Sequence, residues 1–352
     1  MLKKYSILFT LIGLITFVSC DKDFSLNGNY KRTPVIFCLL DQSDSVHMVR
    51  ITRTFLGDDD NNIYAKIADS SYFTQVDAKI IEFNDGVETG REWQLHDTLI
   101  TNKEEGVFYG PEQKMYTFSA KDLNDEYTYK FSGVFDEGKY DANSETKLIG
   151  GFNFSGSWIA APPNSSPTAK FSGNTDSYLT FSPKSSSPTN VAVKSTKLLI
   201  RYQETYLDNS VQIKTITWKK TDDTENVDLP TFSGEEFYTL LQSSISIDEN
   251  VMKREMLDVT VRVVMVDEIT EKYMDASKPS SSISQSKPQF TNINSADGKS
   301  ALGLFAARHI ATRTLPLSDN SIKELCIGSY TGNLGFCSSL PAHVNELWYC
   351  TP

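Results

Sequence analysis

The feature that most constrains the fold of this chain is a set of strand-length segments in which apolar and polar residues alternate. The clearest runs from Glu255 to Ile269, with Asp258, Thr260 and Arg262 at polar positions. Its apolar positions are Leu257, Val259, Val261, Val263 and Met265. Because successive side chains of a strand point to opposite faces of a sheet, this period of two predicts a strand with one buried face.

Several other segments have the length and composition of strands. They are Pro34 to Leu40, Val46 to Thr54, Val76 to Phe83, Val191 to Tyr206 and Val211 to Lys219. In the second of these, Ile51 lies on one face and Arg50 on the other. Met115 to Ser119 is predicted to form a hairpin with Glu126 to Gly133, and Asn84 to Gly86 is a turn signal. Together these segments predict a mainly β fold.

Two β-sandwich-like domains are predicted. About seven short strands between residues 34 and 135 favour an immunoglobulin-like or transthyretin-like N-terminal domain. The polar stretch Asp136 to Asn143 is the expected boundary. Residues 136–352 are then a C-terminal β-rich domain with one or two short helices and a cysteine-rich tail. The first helix follows Ser233, which forms a capping box with Glu236, and the second is expected at Glu268 to Ala276.

The first twenty residues predict export and lipidation. Two lysines precede an apolar run from Ile7 to Val18, which is shorter than the about 20 apolar residues that cross a bilayer. Residues 1–19 are therefore predicted to be a signal peptide, followed by a tether at residues 20–33. Phe17 to Cys20 resembles the lipobox of bacterial lipoproteins, which implies that Cys20 is acylated. A plain secretory signal is the alternative.

The charge of the chain and its lack of known catalytic motifs limit the partners and the reactions that are expected. The chain has 34 Lys and Arg against 45 Asp and Glu, a net charge of −11, which disfavours nucleic acid as a partner. It contains no G-x-S-x-G nucleophile elbow, no phosphate loop and no H-E-x-x-H zinc motif. We therefore predict a protein that is not an enzyme and that carries no catalytic residue and no cofactor.

Four cysteines remain after Cys20, in an exported protein whose compartment permits disulfides. They are Cys38, Cys326, Cys337 and Cys350, and they allow three pairings. Three of them fall within the last 27 residues, which predicts a disulfide that staples the C-terminus. For Cys38, which lies within an apolar run, a buried free thiol is the alternative.

One acidic loop has the spacing of a weak calcium site. Asp58, Asp60 and Asn62 alternate as Ca²⁺ ligands can, and Asp69 stands twelfth from the first of them. Ile63 occupies the position where an EF-hand loop needs glycine. The alternative is a solvated acidic hairpin tip.

Two triplets resemble the Asp-(Ser/Thr)-apolar acceptor of O-glycosylation in Bacteroidota. They are Asp44-Ser45-Val46 and Asp97-Thr98-Leu99. The resemblance makes Ser45 and Thr98 candidate glycosylation sites, and both are expected at turns, where a sugar can be accommodated.

The segment Pro288 to Ile293, followed by Leu302 to Phe305 and Arg308, resembles the C-terminal signature of a group of uncharacterised Bacteroidota outer-membrane lipoproteins. Thr52 and Arg53 also fit a pattern of that group. The resemblance implies a lipid-anchored protein of the outer membrane that is accessory to a TonB-dependent receptor. Asp21 to Asp23 resemble the acidic signal that sends lipoproteins of Bacteroidota to the cell surface, which implies surface exposure. Glycines 298 and 303 in this region predict a strand that approaches another backbone closely or turns sharply, and a ligand-binding loop is the alternative.

The leading hypothesis is a non-catalytic binding protein that partners a TonB-dependent transporter in nutrient uptake. The ligand itself is not predicted. Adhesion or envelope structure is the second hypothesis. A hydrolase is the third, because paired carboxylates suffice for glycoside hydrolysis and the chain has many.

Overall fold

The computed structural model describes residues 32–56, 60–159, 166–221, 228–278, 290–296 and 301–350. The signal peptide and Cys20 lie outside the described residues. The strands are β1 (Pro34–Leu40), β2 (Val46–Arg53), β3 (Val76–Asn84), β4 (Val87–Gln94), β5 (His96–Ile100), β6 (Gln113–Ser119), β7 (Thr128–Phe135), β8 (Tyr140–Lys147), β9 (Phe154–Ser155), β10 (Ser172–Asn174), β11 (Ser177–Tyr178), β12 (Thr180–Phe181), β13 (Lys184–Ser185), β14 (Val193–Tyr206), β15 (Val211–Thr221), β16 (Phe232–Ser233), β17 (Val251–Val266), β18 (Leu302–Leu315) and β19 (Phe336–Cys337). The helices are α1 (Asn61–Ala65), α2 (Ala68–Ser71), α3 (Gly234–Ser244), α4 (Glu268–Ser277) and α5 (Asp319–Ile327).

The predicted mainly β fold is confirmed, and a nine-stranded sheet is its centre. The order of this sheet is β15-β14-β17-β18-β1-β2-β6-β5, with β19 beside β17. The segment with the clearest alternation is the interior strand β17, and its residues Val259, Val261 and Val263 are fully buried. The sequence period therefore identified the strand and its core-facing side from Val259 onwards, whereas Leu257, predicted on that side, lies at a β-bulge and is only partly buried.

A second sheet of four strands, in the order β4-β3-β7-β8, shares one hydrophobic core with the large sheet. Phe131 of β7 meets Phe305 of β18 across this core, with ring centroids 6.0 Å apart. Only one face of the large sheet is buried in this way, so the side chains on its other face are available for other contacts.

The predicted hairpin between Met115 to Ser119 and Glu126 to Gly133 is wrong. The first segment is β6, which pairs with β2 and β5, and the second is β7, which pairs with β3 and β8. The two strands follow each other in the chain but belong to different sheets. Their alternation predicted that each is a strand, but it carried no information about the partner, which is set by contacts distant in sequence.

The polar stretch that we expected to separate two domains contains the tight turn between β7 and β8. Asp136, Glu137 and Gly138 have φ values of 48°, 59° and 84°, in the left-handed region. Strands from both sides of residue 135 also share the large sheet, because β1 pairs in parallel with β18. The segment resembled a linker because the inward-facing residues of β8 are small or polar, such as Ala142 and Ser144.

Both predicted helices are confirmed. Ser233 caps α3 by accepting a hydrogen bond from the backbone N–H of Glu236 at 3.5 Å. Helix α4 begins after Asp267, whose carboxylate accepts from the N–H of Thr270 at 2.8 Å. Helices α1, α2 and α5 were not predicted. None of the helices in the described ranges has the length and apolar character needed to cross a membrane.

The expected close approach of backbones occurs at Gly303, where β18 lies beside β1. Its φ is 114°, and a Cβ there would overlap the carbonyl oxygen of Ile36 and lie 2.7 Å from its carbonyl carbon. Only glycine fits this position. Residue 298 lies outside the described ranges.

The predicted C-terminal staple is confirmed as the disulfide Cys337–Cys350. Cys38 and Cys326 are free thiols buried in the core. Burial raises the pKa of each to about 12, so both remain protonated and unreactive at neutral pH.

Candidate functional site

The candidate site is a groove on the outer face of the central sheet, opposite the hydrophobic core. The alternation of β2 places Val49 and Ile51 in the core and directs Val46, Met48 and Arg50 to this outer face. Val46 and Met48 are 48% and 50% exposed, which is unusual for adjacent apolar positions of an interior strand. One part of the groove is thus an exposed apolar surface that does not contribute to the hydrophobic core.

Two cavities lie along this face and meet at Arg50 and Gln113. The larger has a volume of about 890 Å³, and the smaller about 410 Å³. The aliphatic and thioether walls of the larger cavity include Val46, Met48, Met115, Val264, Val266 and Met274. Both volumes fall within the range of small-molecule sites, which is about 300 to 1,000 Å³.

Helix α4 forms one wall of the larger cavity. The carboxylate of Asp267 accepts a hydrogen bond from the N–H of Ala307 at 2.9 Å, which fixes the start of the helix to β18. Tyr273 then packs edge-on against Phe37, with ring centroids 5.7 Å apart. Helix α4 is therefore fixed to the sheet by a hydrogen bond at its start and by an aromatic contact further along.

Arg50 is the only groove cation whose guanidinium lacks a polar partner among the described residues. Its Cζ lies 4.6 Å above the ring of Phe37, its buried Nε has no hydrogen bond, and none of the described carboxylates is within ion-pair distance. Burial lowers the pKa of Arg50, an effect partly opposed by Tyr273 and Tyr72. Because arginine stays charged in proteins, Arg50 is a positive charge that none of the described carboxylates pairs with.

Two other cations of the smaller cavity have structural partners. Arg53 donates to the carbonyl oxygens of Asp69 at 2.7 Å and Ser70 at 3.3 Å, and its Nη1 lies 3.6 Å from Asp136. Lys103 donates to the carbonyl oxygen of Phe108 at 2.7 Å. These two side chains therefore hold the walls of the cavity.

The smaller cavity also offers a hydroxyl group. The Tyr72 oxygen accepts a hydrogen bond from the backbone N–H of Lys114 at 3.1 Å, so the Tyr72 proton is available to a ligand. No acidic side chain occurs among the described residues that line this cavity. The charged side chains among the described lining residues of this cavity are thus all basic, in a chain of net charge −11.

At the far end of the larger cavity, Arg308 is paired. Its Nη2 lies 3.5 Å from the carboxylate of Asp44, and its Nε lies 3.9 Å from Asp41. Asp44 comes two residues before Val46, so this ion pair bounds the apolar surface of β2 on the side away from Arg50.

The calcium candidates do not form a binding loop in the described residues. Asp58 lies outside those residues. Asp60 caps α1 by accepting from the N–H of Asn62 at 2.9 Å, and the Asn62 side chain donates to the same oxygen at 3.0 Å. Asp60 and Asn62 therefore lie at the start of a short helix. Within the described ranges, no three His, Cys, Asp or Glu side chains are grouped to hold a metal ion.

The two glycosylation candidates lie in different settings. Ser45 is exposed at the turn that leads into β2, as expected. Thr98 lies within the edge strand β5, where it is half-buried and pairs with Met115, so its expected position at a turn is wrong.

A Ser–His–Asp arrangement forms between the loop closed by the disulfide and the start of α5, but its geometry does not suit catalysis. Ser338 Oγ lies 2.8 Å from Nδ1 of His343, and Nε2 of His343 lies 3.3 Å from Asp319 without the alignment of a hydrogen bond. Ser338 and His343 are each only 5% exposed. The hydroxyl cannot reach a substrate, so these contacts stabilise the loop.

A second histidine–carboxylate pair ties the turn before β2 to β18. Buried Asp41 accepts from the N–H of Ile310 at 3.0 Å and lies 3.0 Å from Nδ1 of His309. Burial would raise the pKa of Asp41, but hydrogen bonds from His309 and Ser43 outweigh burial and lower it. The pair is a structural anchor between two parts of the groove floor.

The two segments that carried the family resemblance meet in the structure. The Asn292 amide donates to the carbonyl oxygen of Phe305 at 2.6 Å and accepts from its N–H at 3.0 Å. This contact fixes the loop before β18 to the strand that forms the groove floor.

No protein-family model matches this chain, and no curated protein matches it. Arg50 was not predicted as a site residue, because in the sequence it occupies only a polar position of an alternating strand. The available signal was the pair Val46 and Met48 on the same face, where solvent-facing polar residues would be expected.

Proposed function

We propose that this protein is a non-catalytic binding protein that captures a small anionic ligand with an apolar body in the groove centred on Arg50. The observation that carries the proposal is the guanidinium of Arg50, which has no polar partner among the described residues and lies where an apolar-walled cavity meets a smaller, more polar one. Ligand sites are commonly apolar with a few polar groups that set orientation, and this groove has that composition.

The energetics favour an anion at this position. A charged hydrogen bond contributes about 1.5 to 3 kcal/mol, and a half-buried guanidinium without a partner has already lost part of its hydration before a ligand arrives. The chain as a whole has a net charge of −11, which disfavours anions, so an anion would need a local cation such as Arg50.

The proposal places the protein at the outer face of the outer membrane, anchored through lipid on Cys20 and accessory to a TonB-dependent receptor. The lipobox and the resemblance of the C-terminal segments support this placement. Replacing Cys20 with alanine should release the protein from membranes. Capture of the lipidated protein from solubilised outer membranes should recover a TonB-dependent receptor, and recovery of bulk envelope proteins alone would remove this part of the proposal.

The binding function is tested with anilinonaphthalene sulfonate, an anionic probe whose fluorescence rises in apolar sites. The native chain should bind it, and Arg50→Gln should weaken binding about tenfold or more, as expected for a lost charged hydrogen bond. Arg262→Gln is the matched control, because Arg262 lies on the same sheet face but outside both cavities. Equal affinity in all three proteins, or no binding to the native chain, would contradict the proposal.

A further inference from the structure

We infer that the ligand of the groove is a single-chain fatty carboxylate, with its carboxylate on Arg50 and its alkyl chain along Val46 and Met48. This inference rests on the proposed binding function and names the class of ligand. It follows from the charge at one end of the groove and from the side chains along the rest of it.

The charge of the site matches a single carboxylate. A guanidinium presents paired N–H donors that fit the two oxygens of a carboxylate. Arg53 and Lys103 already donate to backbone carbonyl oxygens, so Arg50 is the remaining cation at the junction of the cavities. A phosphate monoester carries two negative charges, and the single guanidinium of Arg50 would balance only one of them. The hydroxyl of Tyr72 supplies a further donor beside the smaller cavity.

The shape of the groove matches an alkyl chain. Val46, Met48 and Arg50 are alternate residues of one strand, so they form a row about 13 Å long at about 3.3 Å per residue. Met115 and Met274 add flexible thioether side chains that adapt to a chain without fixed shape. The Asp44–Arg308 ion pair bounds the end of the row.

The same lining disfavours a sugar. A saccharide would need hydrogen-bonding partners for a row of hydroxyl groups, whereas the exposed residues of the β2 row are valine and methionine. A row of exposed apolar side chains instead gains free energy when it covers apolar surface of a ligand.

The inference is tested by displacement of anilinonaphthalene sulfonate from the mature chain carrying Cys20→Ser, which has no lipid of its own. Octanoate, decanoate, dodecanoate and hexadecanoate are the competitors. Affinity should rise about two- to fourfold per methylene group, because an open groove buries only part of each group, and it should level off once the chain passes the end of the row. Dodecanol, which has a neutral head group, should compete at least tenfold more weakly than dodecanoate.

Two variants separate the two ends of the ligand. Arg50→Gln should weaken all carboxylates by a similar factor, whereas Val46→Ser, at the far end of the row from Arg50, should weaken the longer carboxylates and change octanoate least. Val46 is 48% exposed, so its replacement should leave the thermal unfolding of the protein unchanged, which is measured alongside.

Each outcome decides one question. If the probe binds through Arg50 but no carboxylate displaces it, or if dodecanol competes as well as dodecanoate, the inference is wrong and the proposed function stands. If neither the probe nor any carboxylate binds, both are wrong. A dodecyl phosphate that binds more tightly than dodecanoate would replace the carboxylate with a phosphate head group and overturn the inference.

Discussion

Replacing Gly303 with alanine is expected to destabilise the protein by about 3 to 5 kcal/mol. The φ of 114° is disfavoured for an L-residue with a Cβ, at a cost of about 1 to 2 kcal/mol. The Cβ would also overlap the carbonyl oxygen of Ile36, so β18 and β1 must separate. Losing two or three ladder hydrogen bonds, at about 1 kcal/mol each, accounts for the remainder.

Gly138→Ala is the matched control for this prediction. Gly138 has a φ of 84°, but a Cβ there would have no heavy atom within 4 Å. Its replacement should therefore show the backbone strain alone, at about 1 to 2 kcal/mol. The free energy of unfolding is measured for both variants by urea denaturation with the disulfide intact, provided that two probes give coincident transitions. A loss at Gly303 equal to that at Gly138 would refute the close-approach argument.

Three further predictions concern contacts that stabilise the fold. Replacing Cys337 and Cys350 with serine should lower the free energy of unfolding by about 3 kcal/mol, because the disulfide closes a loop with a sequence separation of 13. A reducing agent should have no further effect on the urea denaturation of this variant. Arg254→Ala should cost about 3 to 5 kcal/mol, because it leaves the carboxylate of Glu204 buried without its partner at 2.9 Å, and thermal unfolding should show a large fall in Tm. The lowered pKa of Asp41 means that its ionised form stabilises the fold above the ordinary pKa of 3.8, and this contribution is lost as the pH falls below that value. Asp41→Asn should therefore flatten the fall in stability between about pH 5 and about pH 3, measured by acid titration followed by circular dichroism.

The sequence predicted strands well where the inward residues are large and apolar. The alternation in β17 identified its buried face, and the capping box at Ser233 located α3. It failed at β8, because the inward positions of that strand include Ala142 and Ser144, and a strand with small or polar inward residues resembles a loop. Alternation depends on the residues that a strand buries, so it is weakest where the packing space is small.

The groove could not be predicted because its walls come from distant parts of the chain. Arg50 and Met48 belong to β2, whereas Val264 and Met274 belong to β17 and α4. In its own segment, each of these residues fits the local pattern of a strand or a helix and gives no sign of a binding site. The parallel pairing of β1 with β18 brings the two parts together, and that pairing is a long-range contact that no local pattern specifies.

Arg50→Met distinguishes a binding role of Arg50 from a structural one. If the guanidinium serves only a ligand, its removal deletes an uncompensated half-buried charge, and methionine can still cover the ring of Phe37. The loss of the cation–π contact costs about 0.5 to 1 kcal/mol, and relief of the desolvated charge offsets it, so the variant should be as stable as the native protein or about 1 kcal/mol more stable. Probe binding should nevertheless fall. Arg254, which is paired with Glu204, should behave in the opposite way, because its removal should destabilise the protein. A loss of more than about 1 kcal/mol in the free energy of unfolding of Arg50→Met, measured by urea denaturation, would mean that Arg50 stabilises the sheet instead of binding a ligand.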